Sequence, residues 1–174
     1  MPAIVSVIGS SNSGKTTLIE KLIRELKSRG YRVATIKHAP HGTTFDEPNK
    51  DSWRHLQAGS EATVVGSKDK LMLIKPVTSD ITLDEIVRLL GENYDIILAE
   101  GFKQEKSPKI EVHRKGAGPL LGNIKKLIAI ATDEPLETKT MQFSLEDIKG
   151  LADLIEEDFI KPRDDRLSLH ESSR

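Results

Sequence analysis

The 174 residues carry 26 Lys and Arg against 27 Asp and Glu, a formal net charge of −1 at pH 7, so no global field favours nucleic acid or an anionic membrane. Cysteine is absent, which removes disulfides, thiolate metal sites and cysteine nucleophiles together. The length suits one nucleotide-sized domain, expected over residues 1–160 with a polar tail at 161–174; no apolar run nears the roughly 18 residues of a bilayer span and no signal-peptide pattern opens the chain, so the cytoplasm is the expected location.

Ala3 to Ile8 is an unbroken run of small and apolar residues, the pattern of a strand buried on both faces. Gly9-Ser10-Ser11-Asn12-Ser13-Gly14-Lys15-Thr16 follows, and from Thr17 a helix is expected with Leu18, Leu22, Ile23 and Leu26 on one side and Gly30 ending it. Every fixed position of the P-loop pattern is met, in the strand-to-helix context that the motif requires. The first glycine lets the chain leave the strand, the following amides turn inward to cradle phosphate, Lys15 adds a point charge and the Thr16 hydroxyl is placed to bind Mg²⁺. Such a loop binds a nucleoside triphosphate.

Tyr31 to Ile36 reads as the second strand, giving a βαβ unit, and Lys37 to Asn49 as a polar loop at the ligand crevice. Asp51 to Ala58 predicts a short helix closed by Gly59, and residues 62–75 a hairpin. A helix is expected from Thr82 to Leu90, with Thr82 and Glu85 at capping-box spacing and Ile86, Leu89 and Leu90 inward. Tyr94 to Gly101 is a buried strand that ends in a carboxylate and a glycine. Lys109 to His113 alternates and reads as a further strand, Gly116 to Gly122 as a loop, and Leu127 to Ala131 as a continuous apolar strand. Ser144 to Asp147 is expected to open a last helix that runs to about Phe159 with Ile148, Leu151, Leu154 and Ile155 inward. The pattern as a whole predicts an α/β fold, a three-layer P-loop NTPase with a mostly parallel central sheet, helices on both faces and a β-hairpin extension.

Glu100 is placed where P-loop proteins carry the acid that holds Mg²⁺ or its water, so Lys15 and Glu100 are the candidate catalytic pair. The other magnesium contact is expected from Asp46 or Asp51, with Asp46 preferred, while Asp95 should lie at the opposite edge of the sheet. Lys37, His38, Arg54, Lys103 and Arg114 could line the crevice for a second anionic ligand. A metal cluster of His38, His41 and His55 has neither helical spacing nor cysteines to support it. Trp53 reads as a lid or partner contact, or equally as a core residue. Asp133, after a buried strand, could take the guanine N1 and N2 hydrogen bonds, but the full Asn-Lys-x-Asp signature is missing and a turn aspartate is the plainer reading.

Several blocks occur together: Gly9 to Thr17, Thr35-Ile36-Lys37-His38, Lys50-Asp51-Ser52-Trp53-Arg54-His55 with Ala58-Gly59-Ser60, Ala99-Glu100-Gly101-Phe102-Lys103, and Pro108 to Val112 with Arg114. Jointly they resemble the molybdopterin-guanine dinucleotide biosynthesis adapter family, MobB, over roughly Pro2 to Thr132. The resemblance implies the P-loop subclass of dethiobiotin synthetase and nitrogenase-type iron proteins, GTP with weak hydrolysis, a homodimer that could join sheets at the 62–75 hairpin, and a guanylyltransferase partner that attaches GMP to molybdopterin. It also carries the choice of guanine, with Asp133 as the residue to examine. The alternative that the P-loop leaves open is an ATP-dependent small-molecule kinase or ligase, and a third is a binding module that has lost hydrolysis.

Overall fold

The computed structural model describes residues 1–39 and 46–161. The tail expected after Lys161 lies outside them, as do residues 40–45 of the loop after the second strand, His41 included. In chain order the elements are β1 (Ala3–Ile8), α1 (Lys15–Ser28), β2 (Val33–Lys37), α2 (Asp51–Gln57), β3 (Thr63–Gly66), β4 (Leu71–Ile74), α3 (Leu83–Leu90), β5 (Ile96–Glu100), β6 (Lys109–His113), β7 (Leu127–Thr132), β8 (Gln142–Ser144) and α4 (Ile148–Ile155), which runs on as a π-helical turn over Glu156–Ile160. They fall into two compact units, one formed by residues up to His38 and from Leu83 onward, the other by the segment between them.

The first unit is a six-stranded sheet in the order β2-β5-β1-β6-β7-β8, with every neighbouring pair parallel. Parallel strands need crossovers that cover the sheet faces, which is why these strands read as apolar runs. On one face Val5, Val7, Ile96, Leu98, Ile110, Val112, Ala129 and Ala131 pack with Leu18, Leu22 and Leu26 of α1 and Leu151, Ala152 and Ile155 of α4. On the other, Ala34, Ile36, Ile97 and Ala99 pack with Leu83 and Val87 of α3 and with Phe102.

Four expectations change. The sequence of β6 alternates, which suggests one solvated face, yet all five of its residues are buried, Lys109 at 0% and Glu111 at 1% exposure. Its polar face is roofed by loops that supply partners. The Lys109 ammonium donates to the carbonyls of Glu105, Ser107 and Lys125, the Glu111 Oε1 accepts the Leu121 amide at 2.6 Å, and the His113 Nε2 meets the Glu134 Oε1 at 3.1 Å. Burial pushes the Glu111 carboxyl up, against the pull of that amide, and pushes the Lys109 ammonium down.

The last helix begins at Ile148, not Ser144, because Gln142–Ser144 is taken up as edge strand β8 beside β7. Asp147 then caps α4, its side chain accepting the Gly150 amide at 3.0 Å. In α3 Ile86 and Leu90 pack partly buried against the core as expected, but the fully buried stripe is Leu83 and Val87, four apart, and Leu89 turns outward with 52% exposure. The second strand starts two residues later than the pattern suggests, at Val33, after the α1 C-terminus is closed by Gly30 at φ +91°.

The second unit contains α2 and the antiparallel hairpin β3–β4, paired from Thr63↔Ile74 to Gly66↔Leu71. Its side chains leave much apolar surface open, with Leu71 75% and Val64 57% exposed.

One ionic cluster ties the ends of α1 and α4 together. The Arg29 guanidinium donates to Glu25 at 2.9 Å, Asp153 at 2.7 Å and Glu156 at 2.7 Å. The Tyr31 hydroxyl adds a bond to Glu156 at 2.8 Å. Lys161 and Arg29 hold the Glu156 carboxyl down at about 2, against its ordinary 4.5. A carboxylate with a depressed folded-state pKa adds stability that is present above the unfolded value and is lost as pH falls through the folded one. Glu156→Gln should therefore cost about 2–3 kcal/mol at pH 7, and urea denaturation from pH 5 to pH 2 should show the gap between wild type and variant closing towards the acid end.

Candidate P-loop site

The site starts from a lack of room. A Cβ on Gly9, which sits at φ +142°, would stand 2.3 Å from the Val112 carbonyl oxygen of the neighbouring β6. No side chain fits there, so the chain leaves β1 in a conformation open to glycine alone. Asn12 at φ +62° and Gly14 at φ +99° then turn the backbone into α1. Gly14 is the N-cap but offers no side-chain cap, and no acidic residue lies in the first turn. The first amides of a 14-residue helix, with the positive end of its dipole, are thus left for an anion. The Ser13 hydroxyl is buried with no hydrogen-bond partner among the described residues. The Lys15 ammonium folds over the loop and donates to the carbonyls of Gly9 at 3.1 Å and Ser10 at 2.8 Å.

The carboxylate arrives through strand register. β5 lies between β1 and β2, with Val7↔Glu100 and Lys37↔Glu100 as pairs, so the last residue of β5 comes level with the loop. There the Thr16 hydroxyl donates to Glu100 Oε2 at 3.0 Å. The Lys37 ammonium stands 3.5 Å from Glu100 Oε1. Gly101 at φ +93° and Phe102 at φ +57° follow; the left-handed Phe102 is held by burial and by stacking on His38, ring centroids 4.8 Å apart. The His38 amide also bonds the Glu100 carbonyl at 3.0 Å. Lys15, Thr16, Lys37, His38 and Glu100 therefore meet at the carboxyl ends of β1, β2 and β5.

This donor set fits Mg²⁺. One hydroxyl and one carboxylate are hard oxygen ligands, and the ion commonly keeps few protein ligands beside phosphates and water. Among the described residues no cluster of three or more His, Cys, Asp or Glu is placed to hold a metal by itself.

The other sequence candidates have surroundings of their own. Asp46 belongs to the second unit, where its Oδ1 accepts the Ser52 hydroxyl at 2.8 Å and its Oδ2 is buried without a described partner. It borders a concavity of about 720 Å³ together with Thr63 and Met72. Asp51 opens α2 and pairs with Arg54 at 3.8 Å. Asp95 precedes β5, at the end of that strand opposite Glu100, where hydrogen bonds from Arg32 hold its carboxyl down at about 2. Asp133 follows β7; its Oδ1 accepts the Lys115 amide at 2.8 Å, and it borders a cavity of about 310 Å³ with Thr132, Phe143 and Ser144. The wall from Phe143 and Ser144 is invisible in the sequence, since β8 is too short and polar to announce itself. Arg114 lies over Gly14 of the loop, away from the Lys37 side where the sequence suggested a second ligand.

A parallel sheet whose central strand ends in a glycine turn onto a helix, with Lys and Thr opening that helix and a carboxylate closing the adjacent strand, defines a P-loop nucleotide-binding fold. The family model described as "Molybdopterin guanine dinucleotide synthesis protein B", MobB, matches residues 4–133, and the chain belongs to that family. It is 37% identical over 155 residues to the molybdopterin-guanine dinucleotide biosynthesis adapter protein of Haemophilus influenzae, covering 88% of this chain and 87% of that one. To the protein of the same name from Escherichia coli it is 38% identical over 153 residues, covering 84% and 87%. Among solved structures, the MobB homologue of Bacillus stearothermophilus superposes with a TM-score of 0.67 at 29% identity, covering 88% of this chain and 97% of that one.

Gly9→Ala should cost about 3 kcal/mol, from forced contact and left-handed strain together. Thermal melts should show the loss, and nucleotide binding should fall with it.

Proposed function

We propose that this protein is a GTP-binding adapter with slow GTPase activity, which assists a molybdenum cofactor guanylyltransferase in attaching GMP to molybdopterin. The observation that carries this reading is the meeting of Thr16 and Glu100 at 3.0 Å beside the Lys15 loop, in a chain of the MobB family. The relatives' shared name supports the adapter role over an ATP-dependent kinase or ligase.

In this reading the amides from Gly9, Ser10, Ser11, Asn12, Ser13, Gly14, Lys15, Thr16 and Thr17 cradle the phosphates. Lys15 exchanges the neutral carbonyls of Gly9 and Ser10 for phosphate oxygens, which makes charge-assisted hydrogen bonds in their place. Thr16 and Glu100 would hold Mg²⁺, and the ion would neutralise charge on the phosphate oxygens. Lys15 stabilises the charge of the transferred phosphoryl group and Glu100 orients groups around it, so hydrolysis rests on positioning, with no covalent intermediate. Asp133 keeps one carboxylate oxygen for the guanine N1 and N2, its other oxygen being held by the Lys115 amide. Lys37 and His38 face the second anionic ligand, molybdopterin.

The hairpin β3–β4 is the proposed contact of a homodimer, because a two-stranded sheet leaves its outer edges unpaired and its apolar side chains open. The cytoplasm is the proposed location; among the described residues no helix is long and apolar enough to cross a membrane.

Calorimetric titration with GTP and ATP analogues, with and without Mg²⁺, tests the nucleotide reading. GTP is expected to bind more tightly, Lys15→Ala to weaken it by about 100-fold or more, and Asp133→Asn to erode the preference over ATP. Equal affinity for both nucleotides, or a preference for ATP, would move the assignment to a kinase or ligase. Leu71→Glu on the hairpin should shift sedimentation toward the monomer.

A further inference from the structure

Beyond the groups that the motif assigns to phosphate, Arg114 lies on the loop with no side-chain partner among the described residues. β6 runs beside β1, with Ile8↔Glu111 in register, and the close pass of Gly9 under the Val112 carbonyl fixes where β6 ends. Arg114 is the residue just beyond that end. Its guanidinium lies over Gly14: a Cβ built there would be 3.5 Å from Arg114 Nη2 and 3.9 Å from Nε. The residue is exposed, and its side chain makes no hydrogen bond or ion pair with another described residue. Two other cations of the site have one, since Lys15 bonds two carbonyls and Lys37 pairs with Glu100.

The segment that carries Arg114 is held against the loop at several points. The Ala117 amide closes a turn on the Arg114 carbonyl at 2.9 Å. Gly118, at φ +113°, passes so close that its Cβ would stand 3.2 Å from Ser10 Oγ, and Ser10 Oγ donates to the Pro119 carbonyl at 3.4 Å. The Lys115 amide is tied to Asp133. A stretch held by these four contacts, two of them to Ser10 of the loop, presents its guanidinium with little freedom left to lose.

We propose that Arg114 is a phosphate-binding residue of this site, clamping the α- and β-phosphates of the nucleotide against the amides at the start of α1. This inference rests on the nucleotide reading above. The backbone of a P-loop cradles the α- and β-phosphates, whereas its lysine reaches the β and γ; a guanidinium over Gly14 stands on the amide side. Its planar fork suits two oxygens of one phosphate chain. The clamp therefore acts on bound nucleotide whether or not the γ-phosphate is present, and it does not drive hydrolysis.

Titration of wild type, Arg114→Gln, Arg114→Lys and Lys15→Ala with GDP and with a non-hydrolysable GTP analogue tests it. Arg114→Gln should weaken both ligands by roughly 10- to 100-fold, the worth of a lost charge-assisted bond. Lys should restore only part of that, and in Arg114→Gln the KM for GTP should rise by a larger factor than kcat falls, as a ground-state clamp requires. Unchanged affinities in Arg114→Gln, with Lys15→Ala still impaired, would overturn the role of Arg114 and leave the site reading standing. A selective loss of the triphosphate analogue, or a collapse of the saturated rate, would overturn the clamp in favour of a γ-phosphate or transition-state role. A wild type that binds neither ligand would overturn both this inference and the nucleotide reading beneath it.

Discussion

The structure turns on a place where nothing can be inserted. Gly9 passes beneath the Val112 carbonyl with no space for a methyl group, and that approach sets how β1 ends, how the loop turns and where β6 releases its chain. A glycine here is a spacing device as much as a flexible one. Both sides of the P-loop follow from it, since α1 springs from the turn that Gly9 begins and Arg114 follows two residues after Val112. The cost is concentrated in few residues: Asn12 and Gly14 complete the turn in the left-handed region, and Ser13 leaves a buried hydroxyl unpaired.

Polar chemistry is distributed unevenly across the sheet. The face toward α1 and α4 carries the larger apolar cluster, while β6 turns Lys109, Glu111 and His113 into a closed space roofed by loops. Buried polar groups are tolerable only when partnered, and these draw their partners from the segments before and after β6. The same bonds that satisfy Lys109 and Glu111 therefore position the loops that approach the P-loop. Glu111 retains one oxygen without a partner among the described residues, and burial raises the pKa of its carboxyl.

Much of this was legible in the residues. Continuous apolar runs at Ala3–Ile8 and Leu127–Ala131 read correctly as interior parallel strands because burial on both faces leaves no alternation. The P-loop announced itself through fixed positions, and the family through blocks of residues that occur together. β6 was legible as a strand at its observed bounds, but not its burial: an alternating sequence usually means a wet face, and loops cover this one. β8 escaped because three residues carry no period, and its absence from the reading drew the start of the last helix four residues too early, at Ser144 and not Ile148. The placement of Arg114 over Gly14 was out of reach, since it depends on the turn at Ala117 and the approach of Gly118, which no local pattern encodes. In the same way, the cavity beside Asp133 needs the β7–β8 pairing to exist.

The register of β1 against β5 has a further consequence. Thr16 and Glu100 come within 3.0 Å because Val7 pairs with Glu100, and paired strands can shift only by whole residues, each odd step turning every side chain to the opposite face. The separation of the two oxygens is thus a stepped quantity in the backbone, which drift in the sheet cannot adjust by a few tenths of an ångström. Fine adjustment is left to the side chain, where glutamate has one more rotatable bond than aspartate. The sheet acts as the coarse ruler of this site, and the χ angles of Glu100 and Thr16 are its vernier.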